Sequence, residues 1–264
     1  MKLALFQMDV ISGNVAKNFD KVATWIEETM HTYAPDVLVL PELWSTSYAY
    51  DILPQIADHN GEKTRAFLSE LAKKYHVNII GGSIANIIDG KVYNTMMAFD
   101  REGELVGSYS KIHLASTMDE DLHFAPSSVP DELFELDGVK VGGAICYDLR
   151  FPETVRSLAI EGAEILFFVA AWPCRRLEHW TYLLRARAVE NQVFAVGCNR
   201  VDLCDGLPLG GHSIIYGPAG EVVAQADDAT ERTLFAEVDL VDVKKMRETV
   251  PVFVDRRPEA YSFL

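Results

Sequence analysis

"VKVGGAICYDLRFPE", residues 139–153, decides how the chain is read. Val139, Val141 and the small residues at 142–144 form an apolar run suited to a buried strand, and Asp137-Gly138 supplies the hairpin turn before it. The run ends on Cys146, and Tyr147, Asp148, Arg150 and Glu153 follow at once. A cysteine that only packs has apolar neighbours on both sides, whereas this one meets charge on one side. Gly142 and Gly143 permit close approach of backbone, and the abrupt change at Cys146 has the character of a strand-to-turn elbow that presents a thiol. The Tyr147 amide would then point where an oxyanion forms.

Outward from this stretch, strands alternate with helices. Residues 2–9 read as a strand, and 15–30 switch to helical period with Val15, Phe19, Val22, Ala23, Ile26 and Met30 on one face. "DVLVLPEL", 36–43, is a continuous apolar run expected to be a strand covered on both sides, stopped by Pro41 just before Glu42. A helix is expected over 62–75, then "NIIGGSI" and hairpin strands turning at Asp89-Gly90 and Glu102-Gly103, with Lys111 after the last. Beyond the opening stretch come a helix over 152–162 with Pro152 in its first turn, a buried strand "EILFFVAAW", and a long helix over 176–191. "FDREGELVGSYS" and "IYGPAGEVVAQA" echo each other as strand, turn, Gly-Glu, strand; two similar sheet halves or chance hairpin similarity would both produce this. The pattern implies an α/β protein with mixed sheets, one domain over 1–264.

Glu42, Lys111 and Cys146 each fall at the carboxyl end of an expected strand, where α/β sheets place ligand sites. A cysteine attacks as thiolate and needs a base or a nearby cation to become one. Glu42 in "LPELW" could accept the thiol proton, and Lys111 in "YSKIHL" could hold the thiolate and then the oxyanion.

Together, "LPELW", "YSKIHL" and "GGAICYDLRFPE", in this order and spacing, resemble the three catalytic motifs of the nitrilase superfamily of carbon-nitrogen hydrolases. The resemblance extends over nearly the whole chain, through "NFDKVATWIEE", residues 184–201 and "GHSIIYGPAGEVVA". It implies a four-layer αββα sandwich with two mixed sheets, pairing through its helices into a homodimer and using neither metal nor organic cofactor. It also implies a catalytic triad of Glu42 as general base and acid, Lys111 stabilising the tetrahedral intermediate, and Cys146 forming a thioester that water releases. Glu120 in "STMDEDLHF" matches a second glutamate common in the family, with Asp119 and Asp121 beside it. "CYDLRFPE" and "KIHL" are most similar to the omega-amidase branch, which hydrolyses short dicarboxylate monoamides such as 2-oxoglutaramate. Such a substrate needs a cation for its far carboxylate, and Arg150 is carried over for that role. An internal ion pair of Arg150 with Asp148 or Glu153 is the alternative. Trp172 is a candidate pocket wall or a core residue, and Phe124 and Tyr48 are further pocket candidates. The chain departs from the family at "HFAPSS", where Pro126 and Ser127 stand near a position that is often glycine, so the loop around Phe124 is expected to follow another path.

Composition narrows the partners. A net charge of −15 argues against nucleic acid, which is bound through clustered Lys and Arg. With 49% hydrophobic and 24% charged residues, a disordered or fibrous chain is excluded. No run approaches the length needed to cross a bilayer, and the N-terminal apolar stretch lacks the features of a signal peptide. Cys146, Cys174, Cys198 and Cys204 form no C-x-x-C pair, which points to a reducing cytoplasm. Three rival readings remain. A cysteine-histidine hydrolase would use His113 or His212, a zinc site would draw on His113, His123 and a cysteine, and a non-catalytic module would keep only the fold.

Overall fold

The computed structural model describes residues 1–130, 132–204 and 206–261. In chain order, β1 (Lys2–Gln7), β2 (Val37–Val39), the short β3 (Asp58–His59), β4 (Asn78–Ile88), β5 (Lys91–Phe99) and β6 (Leu105–Ser110) belong to one sheet. A second sheet holds β7 (Phe134–Leu136), β8 (Val139–Ile145), β9 (Ile165–Ala170) and β10 (Phe194–Asn199). After the short pair β11 (Leu203–Cys204) and β12 (Leu207–Pro208), β13 (Ile214–Tyr216) and β14 (Val222–Gln225) extend the second sheet, and β15 (Arg232–Glu237) returns to the first. The helices are α1 (Val15–Tyr33), the short α2 (Leu53–Ile56), α3 (Glu62–Tyr75), the short α4 (Glu120–His123), α5 (Pro152–Ile160), α6 (Leu177–Asn191), α7 (Val241–Thr249) and the short α8 (Val252–Asp255).

Both sheets share one plan. The first runs β15-β1-β2-β4-β5-β6, with parallel pairs in the β1-β2-β4 centre and antiparallel flanks. The second runs β7-β8-β9-β10-β13-β14, again with parallel β8-β9-β10 between antiparallel flanks. Leu3, Leu5, Val37 and Val39 pack toward Val141, Ile145, Phe167 and Val169 between the sheets. Alternation along the strands turns Ala4, Phe6 and Leu38 outward onto Phe19, Val22, Ile26, Leu68 and Leu71 of α1 and α3. On the far side Val155 and Leu158 of α5 and Trp180 and Leu184 of α6 cover the second sheet. The four-layer αββα arrangement is therefore the architecture of the chain.

The expected helix over 62–75 matches α3, but α1 runs on to Tyr33, where Ala34 ends it in the left-handed region. The "DVLVLPEL" strand is shorter than expected. After Val39 the chain leaves the ladder: Ser83 N donates to the Pro41 carbonyl at 3.1 Å and Leu43 takes φ 46°. Gly82 makes room for this, since a Cβ there would lie 2.1 Å from the Pro41 oxygen. Gly143 does the same between sheets, because its missing Cβ is where Met96 Cε of β5 sits.

Candidate active site

Lys111 bridges two carboxylates in the buried interior. Its Nζ donates to Glu42 Oε1 and to Glu120 Oε1, each at 2.8 Å, and all three side chains are fully buried. Glu42 stands on the loop after β2, which is seated on the β4 irregularity: Leu43 N donates to Ser83 Oγ at 3.0 Å and Trp44 N to the Ser83 carbonyl at 3.2 Å. Asn94 Nδ2 donates to Glu42 Oε1 at 2.8 Å, and the Ala171 amide at the end of β9 donates to Glu42 Oε2 at 2.8 Å. Glu120, at the start of α4, accepts from Tyr48 Oη at 2.9 Å and from the Ala115 amide at 2.8 Å. Lys111 itself is held through its backbone, donating to Asn94 O at 2.8 Å and accepting from Ser127 N at 3.0 Å.

Cys146 opens the one-turn helix Cys146–Arg150 directly after β8 and takes φ 47°, the left-handed conformation expected of an elbow. Its side chain is 3% exposed. Burial first, and then the Glu42 charge, push the thiol well above its ordinary range, while Lys111 and the Ala171 amide act the other way. At rest the group is a thiol, and a base must act at the moment of attack. Burial would strip Lys111 of its proton, but Glu120 and Glu42 outweigh it and hold the ammonium well above the ordinary range. Burial raises Glu120, with Glu42 adding to the shift and Lys111 opposing it. The Tyr147 amide lies at the first turn of the one-turn helix, where amides lack intrahelical partners.

Asp148 ties the elbow to the lysine loop, a role the sequence does not announce. Its Oδ2 accepts from Ile145 N at 3.1 Å and from Tyr109 Oη at 2.8 Å; its Oδ1 accepts from His113 N at 3.0 Å and lies 2.8 Å from His113 Nδ1. His113 thus has an acidic partner, and it stacks on Phe151. The groups acting on the thiol are nevertheless Glu42, Lys111 and Glu120. His123 stacks on Tyr50, and the His212 carbonyl accepts from Trp180 Nε1.

Cys146 opens on a small cleft lined by Thr117, Tyr147, Arg150, Trp172 and Arg176, with Ala115, Met118 and Pro173. Arg150 lies over the Trp172 ring at 4.6 Å and makes no ion pair with Asp148 or Glu153 among the described residues. Trp172 is both wall and anchor, its Nε1 donating to the Arg176 carbonyl at 2.7 Å. Tyr48 and Phe124 do not line this cleft: Tyr48 backs Glu120, and Phe124 packs with Leu43 and Tyr48 in a separate cluster. A larger groove lined by Phe19, Gln55, His59 and Lys63 lies elsewhere and holds none of these groups.

Comparison with known proteins fits this constellation. The chain belongs to the carbon-nitrogen hydrolase family, whose model matches residues 2–248, and so is a hydrolase of carbon-nitrogen bonds other than peptide bonds. Among its relatives, the 2-oxoglutaramate amidase of Bacillus subtilis is 43% identical over 260 residues, covering 98% of each chain. The human omega-amidase NIT2 is 33% identical, covering 99% of this chain and 96% of its own. The crystal structure of Nit3 from Saccharomyces cerevisiae, a member of branch 10 of the nitrilase superfamily, superposes with a TM-score of 0.90 at 30% identity, covering 99% and 97%.

Proposed function

We propose that the protein is an omega-amidase, cleaving the terminal amide of a short monoamide that carries a carboxylate at its other end. The observation that carries this reading is the buried Glu42–Lys111–Glu120 bridge beside the Cys146 elbow, opening on a cleft with Arg150, which forms no ion pair among the described residues. Glu42 takes the thiol proton as sulfur attacks the amide carbon. The oxyanion is received by Lys111 and the Tyr147 amide. Protonated Glu42 then delivers the proton to the departing nitrogen, ammonia leaves, and a thioester remains. Water enters, Glu42 removes its proton, and the second tetrahedral intermediate collapses to the acid with return of the proton to sulfur. Glu120 holds Lys111 in place, and Arg150 receives the substrate carboxylate. The names of the relatives support the substrate class.

The same reading treats 1–264 as one catalytic domain, supported by the family match over 2–248 and by a core running from Leu3 to Val243. It places the reaction in the cytoplasm, where a thiol nucleophile stays reduced. No helix among the described residues is long and apolar enough to cross a membrane. A homodimer through the outer face of α5 and α6 is part of the proposal. Ammonia release across a panel of omega-monoamides, neutral amides of equal length and nitriles tests the substrate class. The monoamides should be turned over with the highest kcat/KM. Preference for neutral amides or nitriles would remove the role given to Arg150.

A further inference from the structure

Two guanidiniums, of Arg150 and Arg176, share the mouth of the Cys146 cleft. Arg176 enters from the one-turn helix Cys174–Arg176, which follows Trp172 and Pro173. Its Nη1 donates to Thr117 Oγ1 at 3.2 Å, which leaves the Thr117 hydroxyl hydrogen available to another acceptor. Among the described residues neither arginine forms an ion pair; the polar neighbour of Arg150 is His179 Nδ1 at 3.4 Å. Burial and then the Arg176 charge lower the hold of Arg150 on its proton, so the two cations bear on one another. A chain with 39 acidic residues thus leaves two like charges uncompensated in its cleft. A ligand that brings negative charge and several acceptor oxygens relieves that repulsion.

We propose that Arg176, with Thr117, is a second recognition group that takes the oxygen adjacent to the tail carboxylate, so the cleft selects a 2-oxo acid tail over a plain carboxylate. This rests on the omega-amidase reading and adds a discriminating residue to it. A 2-oxo acid presents its ketone oxygen and carboxylate on neighbouring carbons, and a planar guanidinium beside a hydroxyl matches such an acceptor set.

The test compares kcat/KM for 2-oxoglutaramate, for glutaramate, which lacks only the oxo oxygen, and for pentanamide, which lacks the charged tail. Arg176→Met should lower the ratio of 2-oxoglutaramate to glutaramate by roughly ten- to a hundredfold, chiefly through KM, and lower pentanamide turnover far less. Arg176→Lys should recover part of the ratio. Arg150→Met should depress both acids together. If Arg176→Met leaves the ratio unaltered, or lowers both acids equally, the second recognition group is overturned while the amidase stands. Indifference of both acids to Arg150→Met would instead overturn the carboxylate reading. Should Arg176→Met also lose pentanamide turnover, Thr117→Val decides: an unaltered ratio of 2-oxoglutaramate to glutaramate in that variant overturns the proposal.

Discussion

Cys146 sits in a left-handed conformation that costs a non-glycine residue roughly 1–2 kcal/mol, so something must over-determine it. Asp148 does so, gathering Ile145 N just before the nucleophile and the Tyr109 and His113 donors on either side of Lys111. Nucleophile and ammonium are thereby fixed to one buried carboxylate. Asp148→Asn keeps the size but replaces an acceptor oxygen with an NH2 group that cannot accept from these donors. It should cost about 2–3 kcal/mol in urea unfolding and lower kcat more than KM. Wild-type kcat in the variant would show that the elbow holds itself. Glu42, Lys111 and Cys146 were legible in the sequence because a charged or nucleophilic residue at the end of an apolar strand is out of place. Asp148 was legible only as a neighbour of Arg150, and Asn94 not at all. Their partners lie 35 and 52 residues away, and an isolated polar side chain does not reveal what it faces.

At the level of elements, the echo between "FDREGELVGSYS" and "IYGPAGEVVAQA" is structural. The first joins β5 to β6 and the second β13 to β14, which occupy the same places in the two sheet plans. Asp100 N donates to Glu104 O and Gly103 N to Asp100 O; Gly217 N donates to Glu221 O and Gly220 N to Gly217 O. Gly103 and Gly220 take φ 80° and 83°. A Gly-Glu pair after a turn was visible in sequence, whereas the strand order that pairs the halves depends on long-range contacts. Arg101 in the first of these turns reaches across to the second sheet, donating to Asp137 between β7 and β8 and to Asp36 before β2. The Arg101 hydrogen bond, against burial, holds the Asp137 carboxyl below its ordinary value. Asp36 is lowered as well, burial being outweighed by the Lys2 amide and Arg101. A carboxylate with a depressed folded-state value stabilises the fold above its unfolded value and loses that contribution as pH falls through the folded one. Arg101→Met should therefore cost about 1 kcal/mol at neutral pH, the groups being partly exposed, and the gap from wild type should shrink as pH falls below the ordinary carboxylate range. A gap constant with pH would assign the effect to packing and to the Arg101 bond with the His76 carbonyl.

For the whole molecule, the outer face of α6 supports the proposed homodimer. Its inward face carries Trp180, Leu184 and Ala188, as a helix packed on a sheet requires. Tyr182, Ala186 and Val189 recur at i, i+4 and i+7 on the opposite face, with Tyr182 66% and Val189 42% exposed. A helix apolar on both sides is normally covered on both sides. Ile160 at the end of α5 is also exposed. A second copy meeting this face by two-fold symmetry covers both with one self-complementary patch, and a stable pair needs roughly 800 Å² from each partner. Each chain carries a net charge of −15, so association works against repulsion that salt screens, with a Debye length of about 30 Å at 0.01 M and 8 Å at 0.15 M. Sedimentation velocity should therefore show a dimer that tightens between those two salt concentrations. Tyr182→Asp should give a folded monomer, because the substituted side chain touches neither core nor site. A dimer indifferent to Tyr182→Asp would place the contact elsewhere on the surface, and a wild-type monomer at micromolar concentration would remove it altogether.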